Sequence, residues 1–240
     1  MKYIAFAGFL AGTLLLFTSG CASKPEAPHY TWTADAQSWR DAETGFSFPA
    51  KVGDFVKTGE YRFLPDALYG RAVAYELPGH ANLKVCVYLY RYGLDEVTDC
   101  HVKNVTLPAA GKQPAPPMGN PMLDDHRDRV VADLQKAHED DHFVKGDDQQ
   151  SGFYFADRSR LDCNLNRLAW TAKDDQNNSY VLEANLLITA TNNSFIKIQA
   201  NYPQAETAAL SPALEKFREQ FFEQLLGVQL GYPPAAPAKK

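Results

Sequence analysis

Beyond residue 40 the chain switches between two periods of apolar and polar positions. Gly45-Phe46-Ser47-Phe48-Pro49 alternates and then stops at proline, the pattern of a short half-buried strand. Phe55 to Phe63 predicts a second strand, with Phe55, Lys57, Tyr61 and Phe63 on one parity. Ala72 to Leu77 and Leu83 to Tyr90 predict two more, separated by the turn signal Pro78-Gly79. In the last of these, Leu83, Val85, Val87 and Leu89 share a face. Lys84, Cys86, Tyr88 and Tyr90 share the other, which is either semi-exposed or covered by a helix. The period of two returns at Phe153 and Phe155, then at Leu161, Cys163 and Leu165 running on towards Trp170. It continues through Tyr180, Leu182, Ala184 and Leu186, and through Ile196, Ile198, Ala200 and Tyr202. Polar breaks at Lys173 to Ser179 and at Asn192-Asn193 make these last three runs an antiparallel meander.

Helical spacing occurs twice. Leu107 to Met122 is rich in proline, glycine and alanine and reads as a surface loop. Asn120 as cap and Pro121 in the first turn then open a helix whose stripe is Leu123, Arg127, Val130, Leu134 and Ala137, widened by Val131. Asp124, Asp125 and Asp128 suit its N-terminal end, and it fades by Asp141. The second helix is expected to start at Ser211-Pro212, bury Leu214, Phe217, Phe221 and Leu225, and end at Gly227. Strands, helix, strands, helix is the order of an α+β protein in which helices cover an antiparallel sheet.

The N-terminus follows neither period. Lys2 precedes an apolar run from Ile4 to Phe17, about 14 residues and short of the roughly 20 that span a bilayer. A positive residue, a short apolar segment and small residues make a secretory signal peptide. The run ends in Ser19-Gly20-Cys21, which resembles the bacterial lipobox. That resemblance implies cleavage before Cys21, several acyl chains on that cysteine, and stable membrane attachment. Ala22 at the next position resembles lipoproteins sent to the outer membrane, facing the periplasm. Ordinary cleavage near Ala22 is the alternative, and leaves a soluble periplasmic protein. The expected organisation is a signal peptide over 1–20 and a lipidated cysteine and tether over 21–40. One α+β domain over 41–228 and a disordered tail over 229–240 complete it.

Charge removes one class of partner. The net charge of −5 becomes −6 when Lys2 leaves with the signal, and no basic run is present, so nucleic acid is not expected to bind. With Cys21 acylated, Cys86, Cys100 and Cys163 remain, an odd number for an oxidising compartment. Cys86 and Cys100 lie symmetrically about Gly93, which makes them a candidate disulfide, and Cys163 is a candidate partner for either.

Two stretches resemble a known family. Thr44 to Ala50 followed by Val52-Gly53-Asp54-Phe55 is similar to the opening hairpin of PsbP-like and Mog-type proteins. Ser194 to Tyr202 with the helix over Leu214 to Leu226 resembles how those proteins close. The same landmarks resemble a group of bacterial periplasmic proteins and lipoproteins. The resemblance implies a helix–sheet–helix sandwich and a binding or assembly role, with no catalytic residue to carry over.

One motif points to chemistry. His138-Glu139-Asp140-Asp141-His142 matches H-E-x-x-H, in which two histidines on one helix face hold zinc and the glutamate activates water. The intervening positions of such helices are apolar or small, whereas here both are aspartate, at the end of a predicted helix. A solvated helix end is therefore expected, and a zinc hydrolase using His138, Glu139 and His142 is the alternative function. Tyr88, Tyr90 and Tyr92 form either an exposed aromatic ladder or a face covered by a helix. His29, His80, His101 and His126 show no spacing that builds a site, and each is expected at the surface. No cofactor is expected. The function that follows is a membrane-anchored periplasmic module that binds a protein or other envelope component.

Overall fold

A computed structural model describes residues 29–33, 39–40, 46–64, 70–90, 105–106, 120–156, 159–191 and 194–231. Eight strands, β1 (His29–Thr33), β2 (Trp39–Arg40), β3 (Ser47–Phe48), β4 (Lys51–Val52), β5 (Phe55–Leu64), β6 (Arg71–Glu76), β7 (Lys84–Tyr90) and β8 (Val105–Thr106), precede helix α1 (Pro121–Ala137). Strands β9 (Val144–Tyr154), β10 (Ser159–Lys173), β11 (Ser179–Thr191) and β12 (Ser194–Pro203) follow, then helix α2 (Thr207–Leu226). Ten strands form one sheet in the order β1-β5-β6-β7-β12-β11-β10-β8, with β4 on β5 and β9 on β10, while β2 and β3 pair separately. All the pairings are antiparallel, and the expected meander is β10-β11-β12. Strand pairing begins at His29, inside the stretch assigned to the tether. At the other end Leu230 bridges Phe155, so the assigned tail enters the fold before residue 232.

Local chemistry sets the element ends. The Asn120 side chain accepts from the Met122 amide at 3.0 Å, and Pro121 occupies the first turn of α1, where a missing N–H costs nothing. The turn between β10 and β11 is held by the Asp174 carboxylate, which accepts from the Gln176 and Asn178 amides. Helix α2 starts one turn before the expected Ser211 cap. A short 3-10 turn over Gln204–Glu206 leads into it, and the Thr207 hydroxyl lies within hydrogen-bond distance of both the Gln204 carbonyl, at 2.7 Å, and the Glu183 carboxylate, at 3.0 Å. Ser211 instead donates back to the Thr207 carbonyl, and Pro212 lies inside the helix. Gly227 ends α2 in the left-handed region at φ 66°, as a C-cap glycine should.

Each helix lies against one face of the sheet. On the α2 face Val73, Tyr75, Val85, Val87, Ile196, Ile198 and Tyr202 meet Leu210, Leu214, Phe217, Phe221 and Phe222. On the α1 face Ala72, Ala74, Tyr88, Tyr90, Leu182, Leu186 and Ile188 meet Leu123, Val130, Val131 and Leu134. The α+β class and the antiparallel sheet stand, but the expected helix-covered, PsbP-like sandwich does not. Strand length is the reason. Strands of 11, 15 and 13 residues in β9, β10 and β11 run about 35–50 Å. Helices of 17 and 20 residues reach only about 25–30 Å. Among the described residues sheet predominates, and the two helices leave part of it uncovered. Every residue of β9 from Val144 to Gln150 is exposed.

Candidate functional site

The space beneath α1 is lined from the sheet side by polar residues. Alternation along β10 puts Asp162, Asn164 and Asn166 on this face, and alternation along β12 adds Lys197, Gln199 and Asn201. All six are buried. The register arranges them in cross-strand rows. Gln199 lies between Cys86 of β7 and Leu186 of β11, and Leu186 lies next to Asn166 of β10. Lys197 lies between Tyr88 and Ile188, with Asn164 beyond Ile188.

Some of these groups are tied to α1. Asn164 donates to Asp124 at 3.0 Å, and Arg127 pairs with Asp148 at 2.8 Å. Others are left over. Asn166 is 1 % exposed, and among the described residues neither atom of its amide has a hydrogen-bond partner. Gln199 donates to Asn201, but its own amide oxygen accepts nothing from the described residues. Lys197 is 4 % exposed, with its ammonium 4.1 Å from the centre of the Tyr88 ring. Burial brings its pKa down to about 8, against the smaller opposing pull of Cys86 and of Asp133 on α1. Burial likewise raises the Asp133 carboxyl, with Lys136 and Lys197 opposing.

At the N-terminal end of this face the His126 ring stacks on Phe195 at 3.8 Å and shares a 2.7 Å hydrogen bond with the Tyr90 hydroxyl. Burial first, then the charges of Lys197 and Arg129, take His126 down to about 4, so it is neutral at pH 7. Burial pushes the Cys86 thiol up to about 11. A thiol held protonated is a poor nucleophile. The chemistry on offer is recognition: the Lys197 ammonium and unpaired amide atoms under a helix, with Arg160 on the same strand face already paired to Asp162.

The residues singled out in the sequence fall elsewhere or in other roles. Helix α1 ends at Ala137, so His138 to His142 form turns, and the two histidines do not share a helix face. His138 Nδ1 meets Asp141 Oδ2 at 2.9 Å, its ring stacks on Trp170 at 4.2 Å, and the Asp141 carbonyl accepts from the Thr171 amide. The stretch fastens the end of α1 to β10. Glu139 and His142 are exposed, the latter with a left-handed φ of 52°. Among the described residues no three His, Cys, Asp or Glu side chains are grouped to hold a metal.

Cys86 and Cys163 lie on opposite faces of the sheet and are not joined to each other, and Cys163 is buried with its pKa pushed up to about 12. Cys100, Cys21 and Tyr92 lie outside the described residues. Tyr88 and Tyr90 are covered, as one of the two expectations for that face had it. His126, expected at the surface, is packed instead. The polar set on β10 and β12 was visible only as the hydrophilic half of an alternation, which by itself signals solvent. Nothing in the alternation announced a helix above it.

Neither a protein-family model nor a curated protein matches the sequence. Solved structures of similar shape include two of weak likeness. One is the cyanobacterial PsbP (CyanoP) of Synechocystis sp. PCC 6803, with 8 % identity, a TM-score of 0.43, and 84 % of this chain and 96 % of that chain covered. The other is a Pseudomonas aeruginosa protein of unknown function, PA94, with 11 % identity, a TM-score of 0.39, and 65 % of this chain and 85 % of that chain covered. The resemblance to PsbP is weak, and no functional argument rests on either structure.

Proposed function

We propose that the chain is a binding module of the bacterial cell envelope, anchored through lipid on Cys21 and acting by contact. The lipobox-like Ser19-Gly20-Cys21 supports the anchor, with the outer membrane favoured by Ala22. The observation that carries the binding half is the unpaired polar row beneath α1. A buried polar group without a partner costs about 1–3 kcal/mol, so the Asn166 amide and the Gln199 amide oxygen, beside the buried charge of Lys197, are an expensive way to build a core. Groups of that kind make sense where a ligand or partner completes their hydrogen bonds.

The test uses the full chain in intact cells. A photo-crosslinking residue replaces Asp133, half-buried on α1 above Lys197, and adducts are identified by mass spectrometry. A specific envelope component is expected in the membrane fraction, and Cys21→Ser should release the protein from that fraction. An adduct pattern no different from an unrelated periplasmic protein removes the binding role. Unchanged sedimentation of the Cys21→Ser protein removes the anchor.

A further inference from the structure

The bare part of the α2 face has a composition of its own. Two large apolar side chains are exposed among the described residues, Val144 at 58 % and Val181 at 43 %. The register brings them onto one ledge. Val144 pairs with Ala169, Val181 pairs with Thr171, and Ala169 and Thr171 are adjacent on the same face of β10. Arginines border the ledge where α2 begins to cover the sheet. Arg167 pairs in register with Asn185, and Arg218 of α2 donates to the Asn185 amide oxygen, so both guanidinium groups start beside one side chain. Arg167 is exposed and makes no hydrogen bond or ion pair among the described residues. The carboxylate nearest this point on the sheet, Glu183, is buried and already accepts from Tyr202 and Thr207. On α2, Glu215 is the acid that faces Arg218.

An apolar strip with unpaired arginine beside it, on a chain of net charge −5, is complementary to carboxylates flanking an apolar side chain. Its position favours a protein over the bilayer. The tether leads from Cys21 to β1, and β10 lies six strands across the sheet from β1, about 29 Å away at 4.8 Å per strand. The ledge is therefore at the far edge from the proposed anchor.

We propose that the ledge formed by Val144, Ala169, Thr171 and Val181, with Arg167 and Arg218, docks an extended acidic segment of another envelope protein. Carboxylates meet the two arginines, and a small apolar side chain rests on the valines. The inference adds a partner surface to the binding role. Its choice of protein over lipid rests on the anchor at Cys21, but binding itself does not.

Two measurements test it. The purified full chain is titrated with a labelled peptide of alternating glutamate and valine, and with a lysine–valine peptide of equal length. The acidic peptide is expected to bind, to weaken as salt rises, and to lose at least tenfold in affinity in Arg167→Glu. Arg167 is exposed and unpaired, so that variant should keep its melting temperature. Equal binding of both peptides, or affinity untouched by Arg167→Glu, overturns the proposal. In cells, a photo-crosslinking residue at Val181 is expected to attach to a peptide carrying two or more carboxylates close to the site of attachment. Attachment to lipid, or to a second copy of this chain, overturns it instead. Peptide binding retained in a Cys21→Ser protein that still sediments with membranes would leave the ledge standing while the anchor falls.

Discussion

The two faces of the sheet are built on opposite principles. Beneath α2 the contact is aromatic and continuous. Phe217 lies 4.7 Å from Phe55, 5.3 Å from Tyr75 and 5.9 Å from Phe221, and Phe222 lies 4.8 Å from Phe153. This face also buries Lys57, Glu183, Asn185, Thr189 and Ser194, but ring packing, which dominates core energetics, makes up its centre. Beneath α1 the apolar stripe of Leu123, Val130, Val131 and Leu134 sits on a sheet surface studded with Asn164, Asn166, Lys197 and Gln199. One face stores stability. The other gives some away, and natural proteins tend to do so where function needs it.

The largest test strikes the first face. Phe217→Ala is expected to lose about 3–5 kcal/mol, because the removed ring leaves a cavity among three others. Urea unfolding measures it, and a loss below about 1 kcal/mol would mean that α2 is no better packed than α1. The next test reverses the sign on the second face. Lys197 has a folded pKa of about 8, below the roughly 10.4 of an unfolded lysine, so the unfolded chain holds more protons between those values. Stability from this group is therefore lowest below pH 8 and recovers as pH rises towards 10.4. Lys197→Met is expected to be more stable than the parent by about 1–3 kcal/mol at pH 7, with the advantage fading through that window. The difference between the two proteins cancels the titration of the thiols and tyrosines. A variant less stable than the parent at pH 7 would show the ammonium to be well compensated. The smallest effect is expected at Asn166. Replacing it by leucine removes one amide whose two polar atoms are both unpaired, at similar volume, and should add about 1–2 kcal/mol, read as a higher urea midpoint with unchanged slope. Destabilisation there would show that ordered water satisfies the amide. Both stabilised variants are expected to lose the Asp133 crosslink, which separates the function of this face from its cost.

Much of the fold was legible because it is local. The alternation from Leu161 to Tyr202, the polar turns and the Asn120-Pro121 start of α1 each depend on residues next to one another. The helix starting at Thr207 was misplaced for a tertiary reason: the Thr207 hydroxyl is held by Glu183, a residue of β11 far away in sequence. The candidate site was not legible at all. Lys197, Gln199 and Asn201 alternate with Ile196, Ile198 and Ala200 as an exposed edge would, and His138 to His142 match a zinc motif that the helix end turns into a fastening for Trp170.

By itself the sequence determined the strand and helix periods and the caps at Asn120 and Gly227. Those are properties of neighbouring residues, of short-range sterics and of hydrophobic spacing. Only the tertiary structure decided which polar half-strands would be buried, because burial depends on what a distant segment lays across the sheet. It also decided where the helices stop covering strands longer than themselves. The bare ledge at Val144 and Val181 follows from that mismatch between helix reach and sheet extent.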